Sequence, residues 1–313
     1  MPPHPRTRTL APSHPAPSHQ ITIHYSLFTN VLMPELPEVE AVRRRLARVM
    51  PGRRITRVDL RRPDLRVPFG ADFVARVEGQ MVVRVTRRAK YLQVELASGD
   101  VILVHLGMSG SFRVLTRSAA ATPGRFHHPR GALAVHDHVV FDLSSGVLLV
   151  FNDPRRFGSM RVLDGGTLAS HPAIAGLGPE PLGRSFTANA LAGALRGRRT
   201  SLKAALSDQR LVAGLGNIYV CEALHLARLS PMTPAGALVD ARGEGRPGLR
   251  ALHDGIRRAL RTALHRRARY RGDDRFRVYG REGERCLRRG CPGTIRRIVQ
   301  AGRSTYYCPA CQR

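Results

Sequence analysis

Four of the five cysteines fall within the last 28 residues, as Cys286-x4-Cys291-x16-Cys308-x2-Cys311. Two close pairs separated by a short ribbon offer four thiolates to one tetrahedral zinc ion. Residues 295–299 and 304–307 read as the strands of a hairpin between the pairs. The surrounding text is poor in apolar residues, and residues 266–313 carry 14 Arg against 4 acids. Such a segment buries too little to fold alone, so the metal is expected to supply its folding energy. Two disulfides are the alternative, and they suit an oxidising compartment. No charged n-region, apolar h-region and small-residue cleavage site occur in order near the start, so zinc is the expected cofactor. The fifth thiol, Cys221, lies in a helical run beside Val220 and Ala223 and reads as a packing residue.

The charge points to a partner. The chain has 51 basic against 23 acidic residues, a formal +28. A small-molecule enzyme does not need that excess, whereas a polyanion partner does, with nucleic acid first. The 313 residues allow about two domains, or three if one is small, and 42% hydrophobic content provides for real cores. No run of 18 consecutive apolar residues occurs, which excludes a membrane-spanning helix. Only Lys90 and Lys203 are lysines; the other 49 basic residues are Arg. In a chain so biased, a retained Lys marks a place for a compact ammonium that can give up a proton, and Lys90 is the stronger case.

Along the chain, residues 1–32 hold six Pro, four His and no acid, with no amphipathic period. Residues 1–33 therefore read as a structureless extension, or as a start placed upstream of the true one at Met33. Pro34-Glu35-Leu36-Pro37-Glu38 supplies the Pro and acids that a first helical turn prefers. Val39, Val42, Leu46 and Val49 follow at helical spacing, and Pro51-Gly52 stops the run. Residues 55–60, 81–86, 91–96, 101–105, 139–143, 147–151 and 160–163 read as strands with Gly-rich turns. This predicts an α+β protein whose residues 34–164 form an antiparallel β-sandwich with one N-terminal helix. From 165 to 272 the period turns helical, with runs at 187–195, 201–206, 217–226 and 249–265. Gly214-Leu215-Gly216-Asn217 makes a turn between two of them. Residues 273–313 form the cysteine ribbon.

At this point the text resembles the formamidopyrimidine-DNA glycosylases. The resemblance lies in Pro34-Glu35-Leu36-Pro37-Glu38, Arg87-Arg88-Ala89-Lys90-Tyr91-Leu92 and His105-Leu106-Gly107-Met108-Ser109-Gly110. It continues in Asp153-Pro154-Arg155-Arg156-Phe157-Gly158, Gly178-Pro179-Glu180-Pro181-Leu182, Gly216-Asn217-Ile218-Tyr219 and Val278-Tyr279-Gly280-Arg281. It ends in Gly302-Arg303-Ser304-Thr305-Tyr306-Tyr307-Cys308. The blocks stand in family order over residues 34–313. The resemblance implies a helix-two-turn-helix domain at 165–272 and a zinc-ribbon hairpin behind it. It also implies a base-excision repair enzyme that flips an oxidised purine out of duplex DNA, cuts its glycosidic bond and nicks the strand.

The residue chemistry agrees. Pro34, preceded by a removable Met, would present a secondary amine, and an α-amino group titrates near ~8, far below Lys at ~10.4. A neutral amine can attack the sugar C1′ and form an iminium. Glu35 resembles the family's general acid. The resemblance assigns Lys90 to phosphate contact and β-elimination, and Arg303 to clamping phosphate and assisting δ-elimination. It assigns Met108, Arg155 and Phe157 to filling the hole left by the flipped base. His105, His136, Arg198, Lys203, Asn217 and Tyr279 match further DNA contacts, with His127, His128 and His138 close to His136. Backbone amides at the turn before Asn217 are expected to bind phosphate through the helix dipole. The reading is of a monomer acting on damaged double-stranded DNA in the bacterial cytoplasm, associated with the nucleoid.

Three departures stand out. The extension would lock the Pro34 nitrogen in a peptide bond. The first cysteine pair is x4 rather than x2, which four thiolates tolerate. The stretch 268–277 is short where many family members carry a longer loop over flipped 8-oxoguanine. Good excision of ring-opened formamidopyrimidines with a weaker advantage for 8-oxoguanine is therefore expected. Two rivals remain. One is an endonuclease VIII-like enzyme for oxidised pyrimidines, which usually has Gly where Leu36 stands. The other is a non-catalytic zinc-ribbon DNA-binding protein.

Overall fold

The structure is a computed structural model that describes residues 33–116, 120–121, 134–268 and 276–313. The extension 1–32, His127, His128 and the stretch 269–275 lie outside the described residues.

The chain opens with helix α1 (Leu36–Val49). Pro37 and Glu38 occupy its first turn, and Leu36, Val39, Val42 and Leu46 form its buried stripe. The run ends at Met50, and Gly52 follows with φ +71°, a left-handed conformation that a glycine adopts without strain. Strand β1 (Ile55–Leu60), helix α2 (Phe73–Val77) and strands β2 (Val82–Arg88), β3 (Tyr91–Leu96) and β4 (Asp100–His105) come next. Then follow β5 (Ser111–Leu115), β6 (Ala120–Ala121), β7 (Asp137–Leu143), β8 (Leu148–Asn152) and β9 (Ser159–Asp164). They pair into two antiparallel sheets, β1-β7-β8-β5-β6 and β2-β3-β4-β9. Val85, Leu92, Val104 and Met160 from one sheet meet Ile55, Phe112, Phe141 and Phe151 from the other, with Val39 and Leu46 of α1, in one core. All seven strands expected in this region are present, within two residues at each end. Strands β5 and β6 and helix α2 are additions. The signal for β5 was the alternation of Phe112 and Val114 with Ser111 and Arg113, obscured by the glycine-rich loop directly before it.

The remaining helices are α3 (Pro172–Ala175), α4 (Ala188–Leu195), α5 (Leu202–Ser207), α6 (Asn217–Ala227) and α7 (Pro247–Ala268). Thr187 and Ser201 cap α4 and α5, each hydroxyl accepting a backbone N–H three residues on. Leu191, Leu202, Leu206, Ile218, Leu224, Leu252, Ile256 and Leu260 build a second core. Strands β10 (Arg296–Gln300) and β11 (Arg303–Tyr307) form the C-terminal hairpin, in register from Arg296↔Tyr307 to Gln300↔Arg303. Ile295, Tyr306 and Cys308 are buried in the helical core. The ribbon is therefore supported by the helices as well as by its cysteines.

Candidate active site and DNA-binding groove

Glu35 precedes α1 and is only 3% exposed. Its Oε1 accepts the backbone N–H of Ile218 at 2.9 Å and its Oε2 that of Tyr219 at 3.4 Å, so the carboxyl sits on the N-terminus of α6. The Glu35 N–H donates to Glu38 Oε2 at 2.8 Å, and the Tyr219 hydroxyl donates to Glu38 Oε1 at 3.0 Å. Gly216 leaves room for the carboxyl: a Cβ there would lie 2.3 Å from Glu35 Cδ. Burial raises the Glu35 pKa, and Glu38 adds to the rise. Lys90 and the two α6 amides oppose it without cancelling it. A buried carboxyl so perturbed is suited to hold and deliver a proton. Pro34 lies immediately ahead of it. The expectation that the α6 amides bind phosphate is corrected for Ile218 and Tyr219, because the anion on this helix end is the protein's own Glu35.

Lys90 occupies the turn between β2 and β3 and is 8% exposed, so it is no solvated strand-edge lysine. Ala89 before it has φ +53°, a left-handed conformation uncommon outside glycine. The surroundings hold that turn. Glu180 Oε1 accepts the Ala89 N–H at 2.5 Å, and Glu180 also pairs with Arg87 and Arg88. Burial lowers the Lys90 pKa. Glu35 works against that shift, while the Arg303 charge reinforces it. His105 packs against Tyr91 with ring centroids 4.9 Å apart and the rings tilted by 53°. Its Nδ1 accepts the Gly107 N–H at 3.0 Å. Burial, then the charges of Lys90 and Arg66, pull its pKa down to about 4. The imidazole is therefore neutral at pH 7, with its proton on Nε2.

On the other side, Lys203 is 2% exposed and donates from Nζ to Asn217 Oδ1 at 2.5 Å. Asn217 Nδ2 donates to Ser304 O at 2.9 Å and to the Tyr279 hydroxyl at 3.3 Å. Burial lowers the Lys203 pKa and pushes the Tyr279 phenol up to about 12. Arg303 begins β11 after the tight turn Ala301-Gly302, with φ +48° and +70°, and is exposed. It lines a groove of about 270 Å³ with Lys203, Ser207, Asp208 and Gln300. The charges of Glu35 and Arg303 act on both Lys90 and Lys203.

Arg155 and Phe157 share the loop after β8. Phe157 is 42% exposed, and the Arg155 guanidinium stands 4.8 Å from its ring centroid. Two further expected contacts have other partners. Arg198 donates from Nε to Ala194 O and faces Asp208 at 3.8 Å. His136 is half-buried beside the ring of His138, which is itself buried. Cys221 is buried and its thiol is pushed up to about 12 by burial, in keeping with packing.

Sequence reading overlooked Glu180 and the Glu38–Tyr219 pair as parts of the site. Their signal was rarity, because acids are few in this chain and both stand within short Pro-flanked blocks.

The sulfur atoms of Cys286, Cys291, Cys308 and Cys311 all lie within 4.8 Å of one another. Cys286–Cys311 is 3.9 Å and Cys291–Cys308 is 3.6 Å. A tetrahedron with Zn–S bonds near 2.3 Å requires S···S separations of about 3.8 Å, so four thiolates here fit zinc. The x4 spacing of the first pair is accommodated. Outside the ring of sulfurs, Nε2 of the buried His225 on α6 lies 3.3 Å from Cys286 Sγ.

Comparison with known proteins gave three family matches. The formamidopyrimidine-DNA glycosylase N-terminal domain matches residues 33–160, and the H2TH domain of the same enzymes matches 177–271. The zinc finger found in those glycosylases and in isoleucyl-tRNA synthetase matches 283–313. A formamidopyrimidine-DNA glycosylase of Bradyrhizobium diazoefficiens is 53% identical, over 90% of this chain and all of the relative. The Lactococcus lactis enzyme, solved bound to DNA containing an abasic site, is 32% identical with a TM-score of 0.75. The match covers 90% of this chain and all of that one. The same enzyme solved with DNA containing an oxidised pyrimidine is 31% identical, with a TM-score of 0.76 and the same coverage.

Proposed function

The chain belongs to the formamidopyrimidine-DNA glycosylase family and is a base-excision repair glycosylase of damaged DNA; we propose that it excises oxidised purines through a Schiff base on Pro34 and nicks the strand by β,δ-elimination. The observation that carries this mechanism is the Glu35 carboxyl. It is buried, held by two α6 amides, raised in pKa and adjacent to Pro34.

A base within the stack is out of reach, so the damaged nucleotide is first turned out of the duplex. Met108, Arg155 and Phe157 fill the space it leaves. The secondary amine of Pro34 attacks C1′ and the base departs. Glu35 gives its proton to the sugar ring oxygen, the ring opens, and an iminium joins Pro34 to C1′. Removal of a C2′ proton expels the 3′ phosphate, and a second elimination expels the 5′ phosphate. Lys90, held nearer neutrality by burial, contacts phosphate and assists the first elimination. Arg303 clamps phosphate and assists the second. Lys203, Asn217, Tyr279 and His105 line the path of the strand, and Arg198 and His136 are assigned outer contacts. Cys286, Cys291, Cys308 and Cys311 hold one structural zinc, which closes the hairpin carrying Arg303.

The work divides among residues 34–164 for catalysis, 165–272 for the helix-two-turn-helix grip on DNA, and 273–313 for the zinc hairpin. The family matches support this division. The first of these matches begins at residue 33, directly ahead of Pro34. The setting that fits is a monomer in the bacterial cytoplasm, working on nucleoid DNA. Among the described residues no helix is long and apolar enough to cross a membrane.

The test is borohydride trapping on lesion duplex. Protein begun at Met33 should form a covalent complex. Equal trapping by a chain that retains residues 1–32, with Pro34 internal, would show the nucleophile to be misassigned. The same preparations measure substrate range by single-turnover excision of formamidopyrimidine, 8-oxoguanine and an oxidised pyrimidine. Formamidopyrimidine is expected first, and a strong preference for 8-oxoguanine would overturn the argument from the short 268–277 stretch.

A further inference from the structure

Asp153 is fully buried between two loops. Its Oδ2 accepts the backbone N–H of Gly158 at 2.7 Å, and its Oδ1 accepts the hydroxyl of Ser109. The same Ser109 oxygen accepts the backbone N–H of Arg155 at 3.0 Å. The Asp153 carbonyl accepts Nε2–H of buried His138 at 2.9 Å and the Arg156 N–H at 3.1 Å. One side chain thereby ties the loop 106–110, which carries Met108, to the loop 153–158, which carries Arg155 and Phe157.

The two loops meet backbone to backbone. Gly107 has φ +60°, and a Cβ on it would lie 2.2 Å from the Phe157 carbonyl carbon and 2.4 Å from Gly158 N. A Cβ on Gly158 would lie 2.9 Å from Asp153 Oδ2. At Gly107 the loop backbones touch, so their spacing is set by this contact and by the hydrogen bonds of Ser109 to Asp153 and to the Arg155 N–H. The outcome is an exposed aromatic ring held outward, with the Arg155 guanidinium over it. An exposed Phe on an unsupported loop would fold back to bury its ring.

We propose that Asp153 and Ser109 are positioning residues that hold Met108, Arg155 and Phe157 as one rigid wedge. The inference rests on the reading of those three as the residues that enter the DNA. Parting stacked bases is costly, and a wedge that yields when pushed cannot bear that cost. A buried carboxyl with both oxygens satisfied on two loops supplies the stiffness, because separating the loops would leave buried polar groups unpaired.

The experiment uses the zinc-loaded chain and three readouts. They are single-turnover excision from a paired lesion duplex, nicking at a preformed abasic site, and fluorescence of 2-aminopurine beside the lesion, which rises on unstacking. Ser109→Ala should slow excision by about tenfold and blunt the fluorescence change, while abasic-site nicking falls by no more than about twofold. Asp153→Asn should act in the same direction. A lesion in an already mispaired duplex should restore much of the lost rate. An equal fall in excision and abasic nicking would overturn the proposal, since the loss would then be general. Unchanged excision in both variants would overturn it too. Phe157→Ala separates the two levels of inference. If it leaves excision and fluorescence untouched, the wedge reading fails. If it slows both while Ser109→Ala and Asp153→Asn do not, only the positioning role falls.

Discussion

The Glu35 carboxyl accepts the Ile218 backbone N–H at 2.9 Å, although 183 residues separate them in the chain. That bond joins the head of α1 to the head of α6. It binds the β-sandwich to the helical domain directly beside Pro34. A carboxylate at a helix N-terminus is favoured by the dipole. Here burial outweighs that preference and the pKa still rises.

Gly216 makes this arrangement possible, and Gly216→Ala tests it. The added Cβ would stand 2.3 Å from Glu35 Cδ, so the carboxyl must shift. Displacement of a reacting group by about 1 Å can cost on the order of a hundredfold in rate. Base excision should fall by about that factor in single-turnover assays, with Kd for lesion duplex within about threefold of the parent. Glu35→Gln should match it in excision and in DNA affinity. An alanine variant with parental excision would show that the carboxyl need not stay where α6 holds it.

His105 provides a test in pH. Its pKa lies at about 4 in the fold, below the ordinary histidine value, because burial and the Lys90 and Arg66 charges disfavour the imidazolium. The unfolded chain therefore binds the extra proton between pH ~6.5 and the folded value, and stability falls as pH drops through that window. The folded form also loses the Gly107 N–H to Nδ1 bond on protonation. His105→Gln should remove this contribution. Denaturation midpoints at pH 7 and pH 4.5 should differ less in the variant than in the parent. One proton accounts for at most about 1.4 kcal/mol per pH unit. Equal pH dependence in both would show that His105 is not buried neutral.

Zinc and DNA affinity should be linked through Arg303. Cys308→Ser should release about one metal per chain and loosen the hairpin, because ribbon folding and metal binding are coupled. Arg303 would then lose its place beside Lys203. Each phosphate contact contributes about −0.9 to the slope of log K against log salt, so the slope should shrink by about that amount in Arg303→Ala and by at least as much in Cys308→Ser. Metal analysis and salt titration check this together. A Cys308→Ser protein that keeps its zinc and its salt slope would exclude the link.

Much of this was legible in the residues alone. The spacing of Val39, Val42, Leu46 and Val49 specified α1, and Pro51-Gly52 ended it, because helical period and left-handed turns are local properties. Cys286, Cys291, Cys308 and Cys311 specified a metal site, because so few ligand sets fit that spacing. The excess of Arg specified a polyanion partner. What tertiary structure alone decided is which groups face one another. The Asn217 turn looked like a phosphate site, yet two of its amides face Glu35, a residue from the far end of the chain. Lys90 and Lys203, distant in sequence, come under the same charges of Glu35 and Arg303. Asp153 and Ser109 read as parts of two unrelated motifs until the loops met. Local pattern sets an element and its buried face. Burial, charge and hydrogen-bond partners depend on groups brought from elsewhere in the chain, and those determine which proton is held and which side chain is held outward.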